Sequence, residues 1–201
     1  MAEQARTRLA RRAVVDAARA LFLERGYAAT TVEAISERAD VPPATLYRLF
    51  GAKLGVLRQL LDVSIAGDDQ PVALPDRPEV APVFAATDPV DVLRGAAGIT
   101  TAINQRTNDV YGVLVGAAGS DPEAAELLAD IREQRNQGQR QVVRALQRMG
   151  ALRADVKTRD ADDRVHALMS PEVYRLLVVE RGWSADRYRE WLASTLTQQL
   201  L

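Results

Sequence analysis

The stretch from Thr30 to Lys53, TTVEAISERADVPPATLYRLFGAK, decides the fold of the first part of the chain. Thr30 and Glu33 have the spacing of a capping box, which predicts that a helix begins there. Pro42 and Pro43 end that helix, because proline has no backbone N–H to donate. Pro43 also suits the first position of a new helix, where the missing N–H would have had no partner. The stretch therefore predicts two short helices joined by a proline turn.

The second of these helices, from Pro43 to about Leu49, has one apolar and one polar face. Leu46 and Phe50 lie four residues apart and are predicted to point inward. The residues left outward are Ala44, Thr45, Tyr47 and Arg48. A short helix that presents Thr, Tyr and Arg has the layout of the recognition helix in a helix-turn-helix. The alternative is a helical hairpin with a proline turn and no role in DNA binding.

This region resembles the TetR family of bacterial transcriptional regulators over about 45 residues. The matching positions are Ala18, Leu21, Phe22, Gly26, Tyr27, Thr30, Thr31, Val32, Ile35, Ala39, Val41, Thr45, Leu46, Tyr47, Phe50 and Lys53. The chain departs from the family pattern at Asp40, where glycine is common, at Pro42, where a polar residue is usual, and at Leu49, where histidine or tyrosine is usual. A leucine cannot hydrogen-bond a phosphate, so one expected contact to the DNA backbone is in doubt.

The resemblance and the residue chemistry together predict a DNA contact surface. Its predicted members are Thr31, Pro43, Ala44, Thr45, Tyr47, Arg48 and Lys53. Arg48 has the donors for a guanine edge, and the small side chains can meet thymine methyl groups. Tyr47 and Lys53 are expected at phosphates. Lys53 would start a helix, where a cation is unfavourable unless an anion is near, and a phosphate supplies that anion; the alternative is a solvated lysine.

Charge is distributed unevenly along the chain, although the formal net charge is only −1. Residues 1–65 contain ten Lys or Arg against seven Asp or Glu, and the remainder contains sixteen against twenty. DNA affinity rests largely on phosphate neutralisation, so the first part is the expected contact surface. Arg6, Arg8, Arg11 and Arg12 are either a basic arm that reaches DNA or a solvated first turn of helix.

Composition excludes several classes of site. The chain has no cysteine and one histidine, so it offers neither disulfides nor a metal site built from these ligands. No glycine-rich phosphate loop or carboxylate cluster at metal-ligand spacing is present, and neither catalytic residues nor a cofactor is predicted. The longest apolar run, residues 110–119, is too short to cross a bilayer, and the charged amino terminus does not read as a secretory signal. The sequence predicts a cytoplasmic, all-α protein.

Three segments follow from the helical periodicity and the prolines. Residues 1–66 are predicted to form the DNA-binding domain, 67–88 a proline-rich connector, and 89–201 a second helical domain. The stretch from Gly67 to Pro89 holds five prolines, namely Pro71, Pro75, Pro78, Pro82 and Pro89. Helices in the second domain are predicted at about 89–105, 108–118, 122–149, 160–181 and 185–200. Gly112 and Gly116 favour close approach of another helix, or else leave room for a ligand.

The resemblance implies that the second domain binds a small-molecule effector and dimerises. The predicted pocket residues are Ile99, Ile103, Tyr111, Val115, Leu128 and Ile131. The predicted dimer interface comprises Val173, Leu176, Leu177, Trp191 and Leu192, on two helices whose apolar stripes are wider than packing on one side requires. Internal core is the alternative for some of these residues. His166 is predicted to be a packed or half-exposed histidine rather than a switch.

Together these features predict a homodimeric transcriptional regulator rather than an enzyme. The resemblance favours a repressor that binds double-stranded DNA at an inverted-repeat operator and is released by a small molecule. An enzyme lacks support for the reasons above. A helical adaptor without DNA function would leave Thr45, Tyr47, Arg48 and Lys53 unexplained.

Overall fold

The computed structural model describes residues 2–68, 70 and 72–201, and the regular elements within these ranges are all helical. The helices are α1 (Ala2–Ala29), α2 (Val32–Ala39), α3 (Pro43–Phe50), α4 (Lys53–Ala66), α5 (Ala81–Ala85), α6 (Pro89–Ala118), α7 (Pro122–Arg148), α8 (Thr158–Leu168), α9 (Pro171–Tyr174) and α10 (Ala185–Leu200). A 3-10 turn covers Leu74–Asp76, and wider π-helical turns cover Arg175–Glu180. The predicted all-α fold is confirmed.

The chain forms two compact units, and each unit is made of two separate segments of the sequence. The first unit contains the residues up to 68 together with 109–130, and the second contains the described residues from 70 to 108 together with 131–201. Helices α6 and α7 each contribute to both units. The predicted domain 89–201 therefore supplies residues 109–130 to the first unit.

The core of the first unit is built from apolar stripes of four helices. The α1 residues Val14, Ala17, Ala18, Leu21 and Phe22 are all buried, as are Ile35, Leu46, Leu57, Leu60 and Leu61 from α2, α3 and α4. Gly26 interrupts the helical geometry of α1 with a φ of 76°. The backbone therefore turns there, and glycine bears the positive φ without a Cβ penalty.

The connector contains only short elements among its described residues, namely the 3-10 turn and α5. Pro75 and Pro82 each lie within the first turn of one of them, where a missing N–H costs nothing. Pro71, one of the five prolines, lies outside the described residues. The described part of the segment agrees with the prediction that no long helix survives this proline density.

Helix boundaries in the second half differ from the prediction at two places. The predicted break near residue 106 is wrong, because α6 runs unbroken and the Thr107 hydroxyl donates to the Ile103 carbonyl oxygen within it at 2.8 Å. The predicted single helix 160–181 is also wrong. Pro171 cannot continue α8, and Ser170 starts α9 by accepting a hydrogen bond from the Val173 N–H at 3.2 Å.

The core of the second unit contains an aromatic group on and before α10. Tyr174 and Tyr188 are buried and meet edge to face, with ring centroids 5.0 Å apart. Trp183 and Trp191 are half-buried, with ring centroids 6.0 Å apart. These rings fix α10 against the turn that precedes it. None of the described helices is long and apolar enough to cross a membrane.

Candidate nucleic-acid interface

The start of α2 is capped by Thr31 and not by Thr30. The Thr31 hydroxyl accepts a hydrogen bond from the Ala34 N–H at 3.1 Å, while its side chain stays exposed. Thr30 is fully buried, and its hydroxyl donates to the Gly26 carbonyl oxygen at 2.8 Å. The Leu21 carbonyl oxygen lies 3.3 Å from the same hydroxyl. The prediction that Thr30 caps the helix is therefore wrong by one residue. Thr30 instead joins the end of α1 to the start of α2.

The turn between α2 and α3 forms on Asp40, which takes the left-handed conformation with a φ of 52°. Aspartate is among the few residues that tolerate this conformation. The Asp40 N–H donates to the Glu37 carbonyl oxygen at 3.3 Å, and the Val41 N–H donates to that of Ser36 at 3.1 Å. The Ser36 hydroxyl donates in return to the Val41 carbonyl oxygen. Backbone bonds and one buried serine thus hold the turn without glycine.

No side chain caps the start of α3. Its cap position is Pro42, whose carbonyl oxygen accepts from the N–H groups of Thr45 and Leu46 at 2.9 and 3.1 Å. Pro43 has no N–H and occupies the first helical position, as predicted. The start of a helix is the positive end of its dipole and favours an anion such as phosphate.

The outward face of α3 carries the predicted contact residues. Leu46 is fully buried and anchors the helix, while Ala44, Tyr47 and Arg48 are exposed and Thr45 is half-buried. Residues 44, 47 and 48 lie on one side of the helix, at spacings of three and four. Arg48 makes no ion pair with any described residue. This face therefore presents a guanidinium, a phenol and two small side chains to an outside partner.

Lys53 has partners within the protein that were not predicted from the sequence. Its Nζ donates to the carbonyl oxygens of Tyr27 and Thr30 at 2.8 and 2.9 Å and lies 4.1 Å from the centre of the Tyr27 ring. Burial lowers the pKa of Lys53, and Asp121 opposes that shift. The ammonium thus ties the start of α4 to the corner between α1 and α2. Two of its three N–H donors serve this clamp.

The approach of α3 to α4 requires a glycine at position 55. A Cβ built on Gly55 would lie 1.9 Å from the Phe50 carbonyl oxygen, far inside contact distance. Backbone atoms cannot give way as a side-chain tip can, so a larger residue forces the two helices apart. Gly55 was not predicted from the sequence. The available signal was a glycine between Leu54 and Val56, inside a helix where glycine is unfavourable.

Charged contacts tie the first two helices and α4 into the first unit. Arg38 donates two hydrogen bonds of 2.8 Å to the Glu24 carboxylate, which joins α2 to α1. Arg58 on α4 reaches Asp130 on α7 at 3.1 Å. These contacts are partly exposed, and such pairs contribute little each. They orient α1, α2 and α4 around the core more than they stabilise it.

The amino-terminal arginines lie on α1. Arg11 places its guanidinium 5.4 Å from the centre of the Phe50 ring at the end of α3, and Arg12 lies 3.9 Å from Asp16. Arg6 and Arg8 are exposed. Arg6, Arg8 and Arg12 are thus on the surface of the helix that precedes the helix-turn-helix, and Arg11 adds its charge beside α3.

The predicted pocket residues fall in both units. Ile99, Ile103 and Ile131 belong to the second unit, and Tyr111, Val115 and Leu128 belong to the first. All of them are buried or half-buried except Val115, which is 42% exposed. Close helix packing at Gly112 and Gly116 is not observed, because a Cβ at either would meet no described atom within 4 Å.

The predicted dimer residues divide between surface and core. Leu176 is 51% exposed, as is its neighbour Val179 at 53%, while Val173, Leu177 and Trp191 are half-buried. Leu192 has no exposed surface and lies among the core residues of the second unit. The prediction for Leu192 is therefore wrong, because its side chain faces inward along α10.

The geometry of α2, the left-handed turn and α3 is that of a helix-turn-helix DNA-binding domain. Residues 14–60 match the family model described as "Bacterial regulatory proteins, tetR family". Over these residues the chain is similar to the TetR family, and this similarity indicates a DNA-binding transcriptional regulator rather than an enzyme.

One relative is similar in sequence over most of the chain, and solved structures are similar in fold. The HTH-type transcriptional regulator YdeS of Bacillus subtilis is 29% identical over 168 residues, which cover 83% of this chain and 78% of YdeS. NalD of Pseudomonas aeruginosa is the secondary repressor of the MexAB-OprM multidrug efflux pump. Its structure has a TM-score of 0.74 at 18% identity, and the match covers 97% of this chain and 98% of the NalD chain. A putative transcriptional regulator from Saccharomonospora viridis, solved in complex with choline, has a TM-score of 0.69 at 20% identity. The match covers 95% of this chain and 97% of that chain.

Proposed function

We propose that the protein is a homodimeric repressor that binds an inverted-repeat operator and leaves it when a small molecule binds the helical region. The observation that carries the DNA part of this proposal is the outward face of α3, where Tyr47 and Arg48 are exposed while Leu46 anchors the helix. In this proposal Arg48, Ala44 and Thr45 read bases. Thr31, Tyr47, Lys53 and the start of α3 at Pro43 contact phosphates.

The dimer part of the proposal rests on an apolar surface in the second unit. Leu176 and Val179 are more than half exposed, although large apolar side chains gain free energy from burial. Val173, Leu177 and Trp191 are half-buried and supply further apolar area. Two α3 helices in one dimer would read successive major grooves about 34–36 Å apart or somewhat further, which implies an inverted repeat.

Release by an effector is supported by the fold's relatives. NalD is described as a repressor, and the Saccharomonospora viridis regulator was solved with choline bound. A ligand shifts an equilibrium only through its differential affinity for the two forms. The effector must therefore bind the DNA-free form more tightly than the DNA-bound form.

The experiment that tests DNA recognition compares two arginine variants in the same domain. Binding to the DNA upstream of the protein's own gene is measured by gel shift, and the consensus is obtained by selection from random DNA. Arg48→Ala is expected to cost about 1–3 kcal/mol and to relax the preference at one base pair in each half-site.

The matched control for this experiment is Arg38→Ala, because the Arg38 side chain is occupied by Glu24. It is expected to leave the consensus unchanged. If wild type and Arg48→Ala return the same consensus, Arg48 does not read a base. If wild type binds no upstream DNA and selects no sequence, the proposal of a specific operator fails.

A further inference from the structure

The positive charge of the first 65 residues is concentrated at the start of α1. Residues 1–12 contain four arginines and one acidic residue, whereas residues 13–65 contain six basic and six acidic residues. The segment from Thr30 to Lys53, which holds the helix-turn-helix, contains three of each. DNA affinity depends largely on the neutralisation of phosphates by lysine and arginine. The helix-turn-helix therefore offers little of that charge, and the start of α1 offers the excess.

Most of the six basic residues in 13–65 are already engaged within the protein. Lys53 donates to two carbonyl oxygens. Three arginines contact carboxylates, namely Arg19 with Asp109 at 3.9 Å, Arg38 with Glu24 at 2.8 Å and Arg58 with Asp130 at 3.1 Å. Arg25 and Arg48 make no ion pair with a described residue, and Arg48 is proposed to read bases. Further phosphate contacts therefore need another source of positive charge.

Three arginines on one face of α1 can supply that charge. Arg8, Arg11 and Arg12 are spaced by three and four residues and therefore lie side by side, and Arg8 and Arg12 are exposed. Arg8 makes no ion pair within the described part of the chain. Arg12 lies 3.9 Å from Asp16, but the two side chains are 78% and 72% exposed, and such a pair contributes little. These three residues form the α1 arginine face.

Arg11 fixes the position of the α1 arginine face beside α3. Its guanidinium lies 5.4 Å from the centre of the Phe50 ring, and Phe50 is the last residue of α3. The neighbouring Leu49 has no donor for a phosphate. In a helix-turn-helix complex the recognition helix enters the major groove, and the structure beside it crosses the DNA backbone. A cationic face next to the end of α3 is thus placed to meet phosphates and not base edges.

We propose that the α1 arginine face binds the phosphate backbone beside the major groove that α3 enters. This inference rests on the proposed function, in which α3 reads an operator. Phosphate contacts carry no sequence information, so these arginines add affinity for DNA of any sequence, while the choice of sequence stays with α3. A phosphate suits the face because its oxygens match the several N–H donors of a guanidinium.

The test compares wild type with the double variant Arg8→Gln/Arg12→Gln in the full-length protein. This variant removes two charges and leaves Arg11 on Phe50. Fluorescence anisotropy with labelled DNA measures binding to the operator found by selection and to a scrambled duplex of equal length, at several salt concentrations. The affinity for both duplexes is expected to fall by the same factor, about tenfold or more, and the salt slope by about two for each subunit bound. Unchanged affinity and slope overturn the proposal.

Arg6→Gln is the matched control, because Arg6 is exposed on α1 but lies on the opposite side of the helix from Arg8 and Arg12. It is expected to leave affinity and salt slope unchanged. A loss per charge as large as that of the double variant would show that any charge near the amino terminus serves, which overturns the assignment to one face. The double variant is expected to select the wild-type consensus. Loss of preference at a base pair would mean that the arginines read bases, and would overturn the phosphate role.

Arg11→Met tests the placement of the face beside α3. Methionine keeps an apolar stem against Phe50 and removes the charge, so the salt slope is expected to fall by about one for each subunit. Circular dichroism and Tm check that the variant folds. If Arg11→Met does not fold, the double variant at the two exposed positions decides.

Failure of this inference and failure of the proposed function give different results. A wild type that selects an operator, together with a double variant that binds it equally well at every salt concentration, overturns the α1 arginine face and leaves the operator intact. A wild type that selects no sequence, together with a double variant that binds every duplex more weakly, supports the α1 arginine face and contradicts a specific operator.

Discussion

At the scale of single residues, Gly55 is the position where the absence of a side chain matters most. Gly55→Ala is expected to lower the free energy of unfolding by more than about 2 kcal/mol, because its Cβ would overlap the Phe50 carbonyl oxygen. Urea denaturation followed by circular dichroism measures the change.

Gly116→Ala is the matched control for Gly55, since a Cβ there meets no described atom within 4 Å. It is expected to be neutral or to stabilise by up to about 1 kcal/mol, as alanine favours helix. Equal effects of the two substitutions would show that the close approach at Gly55 does not constrain the fold.

Tyr27 gives the first unit an alkaline pH dependence. Burial, and then the charges of Asp121 and Glu123, raise the pKa of Tyr27 to about 12. A tyrosine in the unfolded chain ionises near pH 10. The stabilisation that Tyr27 gives the folded state is therefore fully present below about pH 10 and is lost as pH rises toward 12. Because Tyr27 is half-exposed, solvent screens its charge, and the expected loss in the free energy of unfolding is only about 1 kcal/mol.

Tyr27→Phe tests this assignment, because it keeps the ring beneath Lys53 and removes the ionisable hydroxyl. The stability of wild type is expected to fall more steeply than that of the variant between pH 10 and pH 12, as measured by urea titration at several pH values. Parallel curves would assign the alkaline decline to other groups.

At the scale of elements, Lys53 joins α4 to the corner between α1 and α2. Lys53→Met keeps most of the apolar stem and removes the donors to Tyr27 and Thr30, so the free energy of unfolding is expected to fall by about 1–2 kcal/mol. The third N–H is proposed to meet a phosphate, and the salt slope of DNA binding should therefore also fall by about one.

The two measurements on Lys53→Met are independent of each other. Thermal denaturation measures the stability that the Lys53 hydrogen bonds contribute. DNA titration at several salt concentrations measures the phosphate contact through the salt slope. A stability loss with an unchanged slope would confine Lys53 to the interior. An unchanged stability would contradict the clamp.

Strong local signals predicted the first elements well. Pro43 starts α3 and Leu46 anchors it, since proline geometry and apolar spacing act within a few residues. The predicted cap residue was wrong by one position, because Thr30 and Thr31 both carry a hydroxyl that could cap α2. Only tertiary packing decides which of the two is buried. Gly55 and the partners of Lys53 depend on contacts between helices. A local pattern carries little information about such contacts.

The later helices were predicted less well for a different physical reason. The polar residues near Thr107 resemble a loop, although α6 runs on through them and buries Asn104 and Thr107. The Ser170-Pro171 pair is a strong start signal, but the apolar periodicity continues across it and suggested one helix. Burial of polar groups and competition between signals are settled by the whole fold. DNA contacts, pocket and interface remain predictions, apart from the correction at Leu192.

At the scale of the whole molecule, the exposed apolar residues Leu176 and Val179 decide the proposed dimer. Leu176→Glu with Val179→Glu is expected to give monomers that keep their helicity but lose specific DNA binding, because dimerisation makes the second half-site encounter intramolecular. Sedimentation velocity measures the mass and circular dichroism the helicity.

Leu23→Glu serves as the control for dimerisation, since Leu23 is 46% exposed and lies in the first unit. This variant is expected to sediment as wild type does. A wild-type protein that sediments as a monomer, or a double variant that still forms dimers, would leave the apolar surface without the proposed role.

The ring contact between Trp183 and Trp191 has an optical consequence. These are the chain's two tryptophans, and both belong to the second unit. Intrinsic fluorescence excited at the red edge of the absorption band therefore comes from that unit alone, and the helices that meet DNA emit nothing there. With unlabelled protein, any change of this emission on adding operator DNA would be a signal that has travelled from the DNA-binding helices into the other half of the molecule.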